Sequence, residues 1–188
     1  MDAEEVVRRS LSISGLTVVA LVPNLKGAER GVALSVNKLN FVMSVSRTHN
    51  LKNVRRESAE SMADFRRIVD LAKAQAQERR SLLVGGLSTA LGCSYEGRIP
   101  VDDVRRYAAQ YAEAGADEIS VADTVGYGDP AQVHAVFSAV KAETCTKLLA
   151  VREILSRNLP GVDLHGAIAK AGLPKNYVSA ASRLLAAA

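Results

Sequence analysis

The chain has 188 residues, 48% of them hydrophobic and 23% charged, with a formal net charge of +4. This composition excludes a disordered chain, because it supplies enough apolar surface for one domain with a buried core. No segment reaches the roughly 20 uninterrupted apolar residues of a membrane span, and the charged start MDAEEVVRRS lacks the apolar core of a signal peptide. We therefore expect a cytoplasmic protein that does not contact a membrane.

The first predicted elements are four short apolar runs that are bounded by polar, glycine or proline residues. Such runs are typical of buried parallel strands. They cover residues 16–21, 39–45, 82–87 and 118–122. The sequence therefore predicts four strands.

Helical patterns separate these strands. Apolar residues spaced by three and four predict amphipathic helices around 62–72 and 104–111, the second with Asp102 as its N-cap. Asp129 is expected to cap a third helix whose first residue is Pro130. A serial alternation of strands and helices predicts an α/β fold with a parallel sheet and right-handed crossovers.

Small polar residues follow each predicted strand. In parallel α/β folds, ligands bind at the carboxyl ends of the strands, although Asp and Thr also occur there as ordinary turn and cap residues. The residues concerned are Asn24, Ser44, Ser46, Ser88, Thr89, Asp123 and Thr124. Four strand ends with the same chemistry favour a binding site at this edge of the sheet.

Paired arginines are the most basic feature of the chain. The pairs are Arg55-Arg56, Arg66-Arg67, Arg79-Arg80 and Arg105-Arg106. A nucleic-acid surface is one interpretation. We favour solvent-facing helix surfaces, because acidic residues surround the pairs and aromatic side chains for base stacking make up only 4% of the chain.

The two cysteines, Cys93 and Cys145, lie far apart without a CxxC spacing, so we expect free thiols and neither a disulfide framework nor a zinc site.

The alternation of strands and helices stops near Thr144. Apolar residues from Leu148 to Leu155 then predict one more helix. The predicted domains are therefore a βα region over 1–143 and a helical segment over 144–188.

Three blocks resemble the 3-hydroxy-3-methylglutaryl-CoA lyase family: LVPNLKGAERGV, STALGCSYEGRIP and EISVADTVGYGDPAQV. The resemblance implies a TIM barrel of eight strands that is capped by C-terminal helices. About four βα units are visible here, and they resemble strands three to six of the family. The resemblance thus implies a partial TIM barrel, truncated and internally deleted, with C-terminal helices.

The family reaction is a metal-dependent cleavage of hydroxymethylglutaryl-CoA to acetyl-CoA and acetoacetate. A hard cation such as Mg²⁺ or Mn²⁺ would hold the substrate oxygens and stabilise the enolate. The family takes its ligands from an early Asp, a His-x-His pair and a late Asn. The three histidines of this chain, His49, His134 and His165, do not show that spacing, so we expect the metal ligands to be missing.

The resemblance also implies substrate-side contacts. They are Asn24, Ser88, Thr89, Cys93, Asp123 and Thr124. Cys93 matches a family cysteine near the substrate, and we expect packing there instead of catalysis, because nothing in the sequence pairs its thiol with a base. The catalytic cysteine loop of the family is absent, and Arg47 stands where relatives carry Glu.

Two functions remain open. The chain is either an impaired lyase that binds an acyl-CoA, or a non-catalytic remnant that persists as a self-associating half-barrel. The second follows from the two open sheet edges that half a barrel exposes, since unpaired edges favour association with another copy.

Overall fold

The computed structural model describes residues 3–76 and 80–144 of the chain. The helices and strands alternate along this part of the sequence. In chain order they are α1 (Ala3–Leu11), β1 (Val19–Val22), α2 (Leu25–Ala33), β2 (Lys38–Ser44), α3 (Arg47–Val54), α4 (Ser58–Lys73), β3 (Leu82–Ser88), α5 (Val101–Ala114), β4 (Glu118–Val121) and α6 (Pro130–Thr144).

The four strands form one sheet in the order β1-β2-β3-β4, and every pairing is parallel. Sequential parallel strands require crossover connections, which the helices provide. The predicted strands are confirmed with shifted ends: β1 begins at Val19 instead of residue 16, and β3 extends to Ser88. The carboxyl ends of all four strands therefore lie at one edge of the sheet.

The two faces of the sheet differ in character. On the outer face, Leu39, Phe41 and Met43 of β2 are buried, and they belong to the hydrophobic core that includes the helices. Side chains alternate along a strand, so Lys38 and Asn40 lie on the opposite, inner face. There Lys38 forms a salt bridge with Glu118 of β4.

An aromatic cluster forms the centre of the core. Phe65 of α4 and Tyr111 of α5 meet edge to face with ring centroids 4.7 Å apart, and Phe41 lies 5.7 Å from Phe65. Tyr111 is completely buried, and its hydroxyl donates to the carbonyl oxygen of Phe41 at 3.3 Å. Burial raises the pKa of Tyr111, so the phenol stays neutral. Edge-to-face contact of this kind adds to the stabilisation from area burial.

Gly85 gives Tyr111 its position against β3. A Cβ at residue 85 would lie 2.5 Å from Cγ of the Tyr111 ring. We expect Gly85→Ala to lower the free energy of unfolding by about 1 to 3 kcal/mol, because the ring cannot move aside in a packed core. Urea denaturation measures this loss. An unchanged denaturation midpoint would contradict this close contact, because the Tyr111 ring would then be able to move away from a Cβ at residue 85.

One local prediction from the sequence is wrong. Helix α5 begins at Val101 with Pro100 as its N-cap, so Asp102 lies inside the first turn and is not the cap. An acidic residue in that turn still interacts favourably with the helix dipole. His49, one of the three histidines of the chain, lies in α3. The predicted cap of α6 is confirmed, since Asp129 accepts the backbone N–H of Gln132 at 2.8 Å.

Several arginines of these pairs form salt bridges with carboxylates. Arg56 and Arg67 both contact Asp64, and Arg80 makes a bidentate pair with Asp117. These contacts fit the solvent-facing interpretation of the pairs. Within the part of the chain that the structure describes, no helix has the length and apolarity to cross a bilayer. The helix predicted between 148 and 155 lies outside the described residues.

Candidate functional site

The ends of β3 and β4 are joined by hydroxyl groups. The Ser88 and Thr124 hydroxyls are 2.7 Å apart, and Thr124 Oγ1 also accepts the backbone N–H of Thr89 at 2.7 Å. Thr89 adopts a left-handed conformation with φ 55°, which turns the chain away from the strand direction. Three of the predicted site residues therefore lie together at the carboxyl edge of the sheet.

Asp123 organises the loop that follows β4. Its side chain is buried, and it accepts three backbone N–H groups, from Gly126 at 3.0 Å, Tyr127 at 3.1 Å and Gly128 at 3.0 Å. These bonds join the two carboxylate oxygens to the turn before α6. In this geometry Asp123 holds the loop, and its predicted contact with a substrate stays a prediction.

Cys93 lies between the second and third strand ends. Its thiol is completely buried and donates to Ser46 Oγ at 3.1 Å, while Tyr95 N–H approaches the sulfur at 3.4 Å. Backbone hydrogen bonds in both directions link Cys93 to Gly97 and close a short loop. Among the described residues, the thiol contacts a serine hydroxyl and a backbone N–H, neither of which is a base, and this supports the packing role.

A polar network that the sequence did not reveal lies at the end of β2. The Ser44 hydroxyl is 2.7 Å from Nδ1 of His49. The Ser44 backbone N–H donates to Asn50 Oδ1 at 3.0 Å, and Asn50 Nδ2 donates to the carbonyl oxygen of Arg56 at 2.9 Å. The buried Asn50 thus fixes the segment that connects α3 to α4. The sequence signal for this network is Asn50 itself. Asn is unfavourable in the middle of a helix unless its side chain makes such hydrogen bonds.

Glu96 occupies the N-terminus of α3. Its carboxylate accepts the Thr48 N–H at 2.7 Å. Burial alone would raise the pKa of Glu96, but hydrogen bonds from Thr48, Ser46 and Arg47 outweigh burial and hold that pKa below its ordinary value. Arg47 in turn donates to Glu57 through Nε at 2.9 Å. Arg47, which stands where relatives carry Glu, therefore forms an ion pair with Glu57 of this chain.

The lowered pKa of Glu96 predicts a small pH dependence of stability. A depressed carboxyl pKa stabilises the fold above the unfolded pKa, and that stabilisation is lost as the pH falls through the folded value. Because Glu96 is largely exposed, we expect Glu96→Gln to cost only a few tenths of a kcal/mol near neutral pH. Urea denaturation of both proteins as the pH is lowered should show the difference disappearing. A difference that grows toward acid pH would contradict this assignment.

The remaining predicted site residue, Asn24, caps α2. Its Oδ1 accepts the N–H of Gly27 at 2.9 Å. At the N-terminus of α6, the backbone donors of residues 126–128 bond to Asp123, and Gln132 N–H bonds to Asp129. These carboxylates occupy the donors that a phosphate would use, so this helix start is a poor anion site.

A divalent metal needs several oxygen, nitrogen or sulfur ligands that converge on one point. Within residues 3–76 and 80–144, no group of three or more His, Cys, Asp or Glu side chains is placed to hold an ion. Asp123, the acidic residue nearest the strand ends, already accepts three N–H groups. The described residues therefore do not fit the metal that the resemblance implies.

A parallel sheet whose strands follow one another in chain order, with crossover helices between them, is the arrangement of α/β barrel proteins, and here it forms a partial barrel. The chain belongs to the HMGL-like family, whose sequence pattern matches residues 2–151. This match covers the whole described βα region.

Three curated relatives illustrate the similarity. Hydroxymethylglutaryl-CoA lyase YngG of Bacillus subtilis is 36% identical over 141 residues, which are 75% of this chain and 46% of that protein. The mitochondrial lyases of Macaca fascicularis and Homo sapiens are 35% and 34% identical over 150 residues, covering 80% of this chain and 45% of each relative. The chain thus spans about half the length of these relatives.

Solved structures give the same result. A lyase from Acinetobacter baumannii, in complex with coenzyme A and 3-methylmalate, superimposes with a TM-score of 0.79 at 33% identity, covering 92% of this chain and 54% of that one. The Bacillus subtilis lyase gives a TM-score of 0.69 at 33% identity, covering 81% and 48%. The predicted partial TIM barrel of this family is confirmed.

Proposed function

We propose that this protein is a hydroxymethylglutaryl-CoA lyase-like protein that retains part of an acyl-CoA site but does not turn the substrate over by itself. The family reaction cleaves a carbon–carbon bond to give acetyl-CoA and acetoacetate. The observation that carries the proposal is the hydrogen-bonded set formed by the Ser88 and Thr124 hydroxyls and the backbone N–H of Thr89. They lie at the strand edge where barrel proteins bind ligands.

Relatives support an acyl-CoA as the partner. The Acinetobacter structure contains coenzyme A and a small dicarboxylic acid, 3-methylmalate. A thioester of such an acid presents carbonyl and carboxylate oxygens that hydroxyl groups can recognise. In our proposal Thr124, which is exposed, and Ser88 contact those oxygens, while Asp123 and Cys93 hold the loops around them.

The composition of the described strand ends supports the proposed impairment. Enolate formation in this family depends on a divalent cation, and within residues 3–76 and 80–144 no group of three or more His, Cys, Asp or Glu side chains is placed to hold one. We therefore derive no catalytic step for this chain. A cation contributes several kcal/mol of transition-state stabilisation, so its loss would reduce turnover by orders of magnitude.

The test is an assay of acetoacetate release from hydroxymethylglutaryl-CoA by purified protein with Mg²⁺ or Mn²⁺. We expect no release above the background without enzyme, together with calorimetrically detectable binding of the thioester. Thr124→Val should weaken that binding, and Ser138→Ala, at an exposed position in the middle of α6, should not. Turnover that a chelator abolishes would overturn the impairment, and a folded sample that binds no thioester would overturn the acyl-CoA site.

The alternative function is a non-catalytic, self-associating half-barrel, for which the open edge of the sheet is the supporting feature.

We also propose the division into a βα region over 1–143 and a helical segment over 144–188. A cytoplasmic location stays a prediction, because the relatives include both mitochondrial and cytoplasmic lyases.

A further inference from the structure

An exposed aromatic ring lies beside a lysine in the loops that follow β2 and β3. Tyr95, in the loop between β3 and α5, is 54% exposed, and Nζ of Lys52 lies 4.3 Å from the centroid of its ring. The His49 ring centroid is 6.2 Å from the same ring. His49 and Lys52 are three residues apart on α3, so they share one face of that helix. We call these three side chains the Tyr95 cluster.

The loop that carries Tyr95 is fixed on both sides of the ring. Two backbone hydrogen bonds close its base. The loop is also tied to the start of α3, because the Cys93 thiol donates to Ser46 Oγ at 3.1 Å and the Thr48 N–H donates to the Glu96 carboxylate at 2.7 Å. Burial does not explain this support, since more than half of Tyr95 is accessible to water. An exposed tyrosine on a fixed support is typical of a binding surface.

Lys52 is available to an anion. It forms no salt bridge with a carboxylate of residues 3–76 and 80–144. The carboxylates bonded to α3 are already used, since Glu96 accepts the Thr48 N–H and Glu57 pairs with Arg47. A lysine ammonium can contact a phosphate group, and an aromatic ring can contact the flat face of a base. The Tyr95 cluster thus offers both contacts that a nucleotide requires.

We propose that the Tyr95 cluster binds the nucleotide end of an acyl-CoA, with phosphate groups on Lys52 and the adenine ring against Tyr95. This inference rests on the proposed function, which places the thioester at Ser88 and Thr124. The loop that carries Tyr95 starts directly after Ser88, so the extended pantetheine arm runs along it from the thioester to the nucleotide. At the start of α6, carboxylates already accept the backbone N–H groups that a phosphate would use.

The experiment compares two thioesters that share one acyl group. Hydroxymethylglutaryl-CoA carries the nucleotide, and hydroxymethylglutaryl-pantetheine lacks it. Calorimetry with the full chain at low salt should give a dissociation constant about tenfold lower for the CoA thioester, because stacking and phosphate contacts contribute on that scale. The difference should shrink as salt is added, since salt screens the contact between Lys52 and a phosphate.

Substitutions in the Tyr95 cluster separate the nucleotide from the acyl group. Lys52→Gln and Tyr95→Ala should each weaken binding of the CoA thioester by roughly five- to tenfold and leave the pantetheine thioester unchanged. Both side chains are exposed, so far-UV circular dichroism should not change. Lys141→Gln is the matched control. It removes an exposed lysine in the last turn of α6, a helix that runs from the carboxyl edge of the sheet toward the opposite edge.

The outcomes distinguish this inference from the function on which it rests. Equal dissociation constants for the two thioesters would overturn the nucleotide site and leave the proposed function standing. Unchanged binding of the CoA thioester by Lys52→Gln and Tyr95→Ala would do the same, as would an equal loss for Lys141→Gln. A folded sample that binds neither thioester would overturn the proposed function and the nucleotide site together.

Discussion

Phe65→Ala is expected to lower the free energy of unfolding by about 3 to 5 kcal/mol. Phe65 is fully buried and contacts both Tyr111 and Phe41, with ring centroids 4.7 and 5.7 Å away. Its removal leaves a cavity between α4, α5 and β2 and also removes the aromatic contacts. Since small domains have total stabilities of about 5 to 15 kcal/mol, the variant should be close to unfolding.

Urea denaturation followed by circular dichroism measures this effect. Tyr95→Ala is a matched control, because it deletes an aromatic ring that is 54% exposed and should cost less than about 1 kcal/mol. Tyr111→Phe separates packing from hydrogen bonding, since it removes only the hydroxyl that donates to Phe41. Equal losses for Phe65→Ala and Tyr95→Ala would contradict the assignment of the core.

Asp123→Ala is expected to cost about 2 to 4 kcal/mol, because three backbone N–H groups lose a charged acceptor at once. The distances of 3.0 to 3.1 Å to residues 126–128 show that all three bonds are formed. Water can partly replace the lost acceptor, so the loss in the free energy of unfolding is smaller than the sum for three independent hydrogen bonds. Proteolysis at the loop should accelerate as well, since local unfolding exposes its backbone.

Asp123→Asn provides a sharper test of the same loop. The retained oxygen can still accept from Gly126 and Tyr127, whereas the new amide group faces the Gly128 N–H, so we expect an intermediate loss. Asp129→Ala removes only the cap of α6 and should cost about 1 kcal/mol. A loss for Asp123→Ala no larger than that of Asp129→Ala would show that the carboxylate does not hold the loop. Thermal melting measures the loss of stability, and limited proteolysis measures the opening of the loop.

The substitutions at the strand ends illustrate how structure and function overlap in this chain. Asn24 is a helix cap, Thr89 turns the chain at a left-handed residue and Asp123 holds a loop. All three positions were predicted as substrate contacts from resemblance. Loss of activity or binding in a variant of Asp123 would therefore not identify a contact unless its stability were measured as well.

The sequence by itself determined the serial βα order, the parallel sheet and the family. Strand and helix periodicities are local, so β2 and β3 were located to within one residue of their ends. The Asp129 cap was also local, because a side chain and an N–H three residues apart decide it. The Asp102 cap was wrong because Pro100 already set the start of α5.

Tertiary structure alone decided which polar residues meet. Ser44 with His49, Cys93 with Ser46, and Ser88 with Thr124 are contacts between separate turns or strands, and no local spacing specifies them. The place of Gly85 against Tyr111 likewise depends on how α5 packs on β3. Burial and long-range packing arise only when the whole sheet is assembled, and for that reason the sequence could name the strand ends but not the network between them.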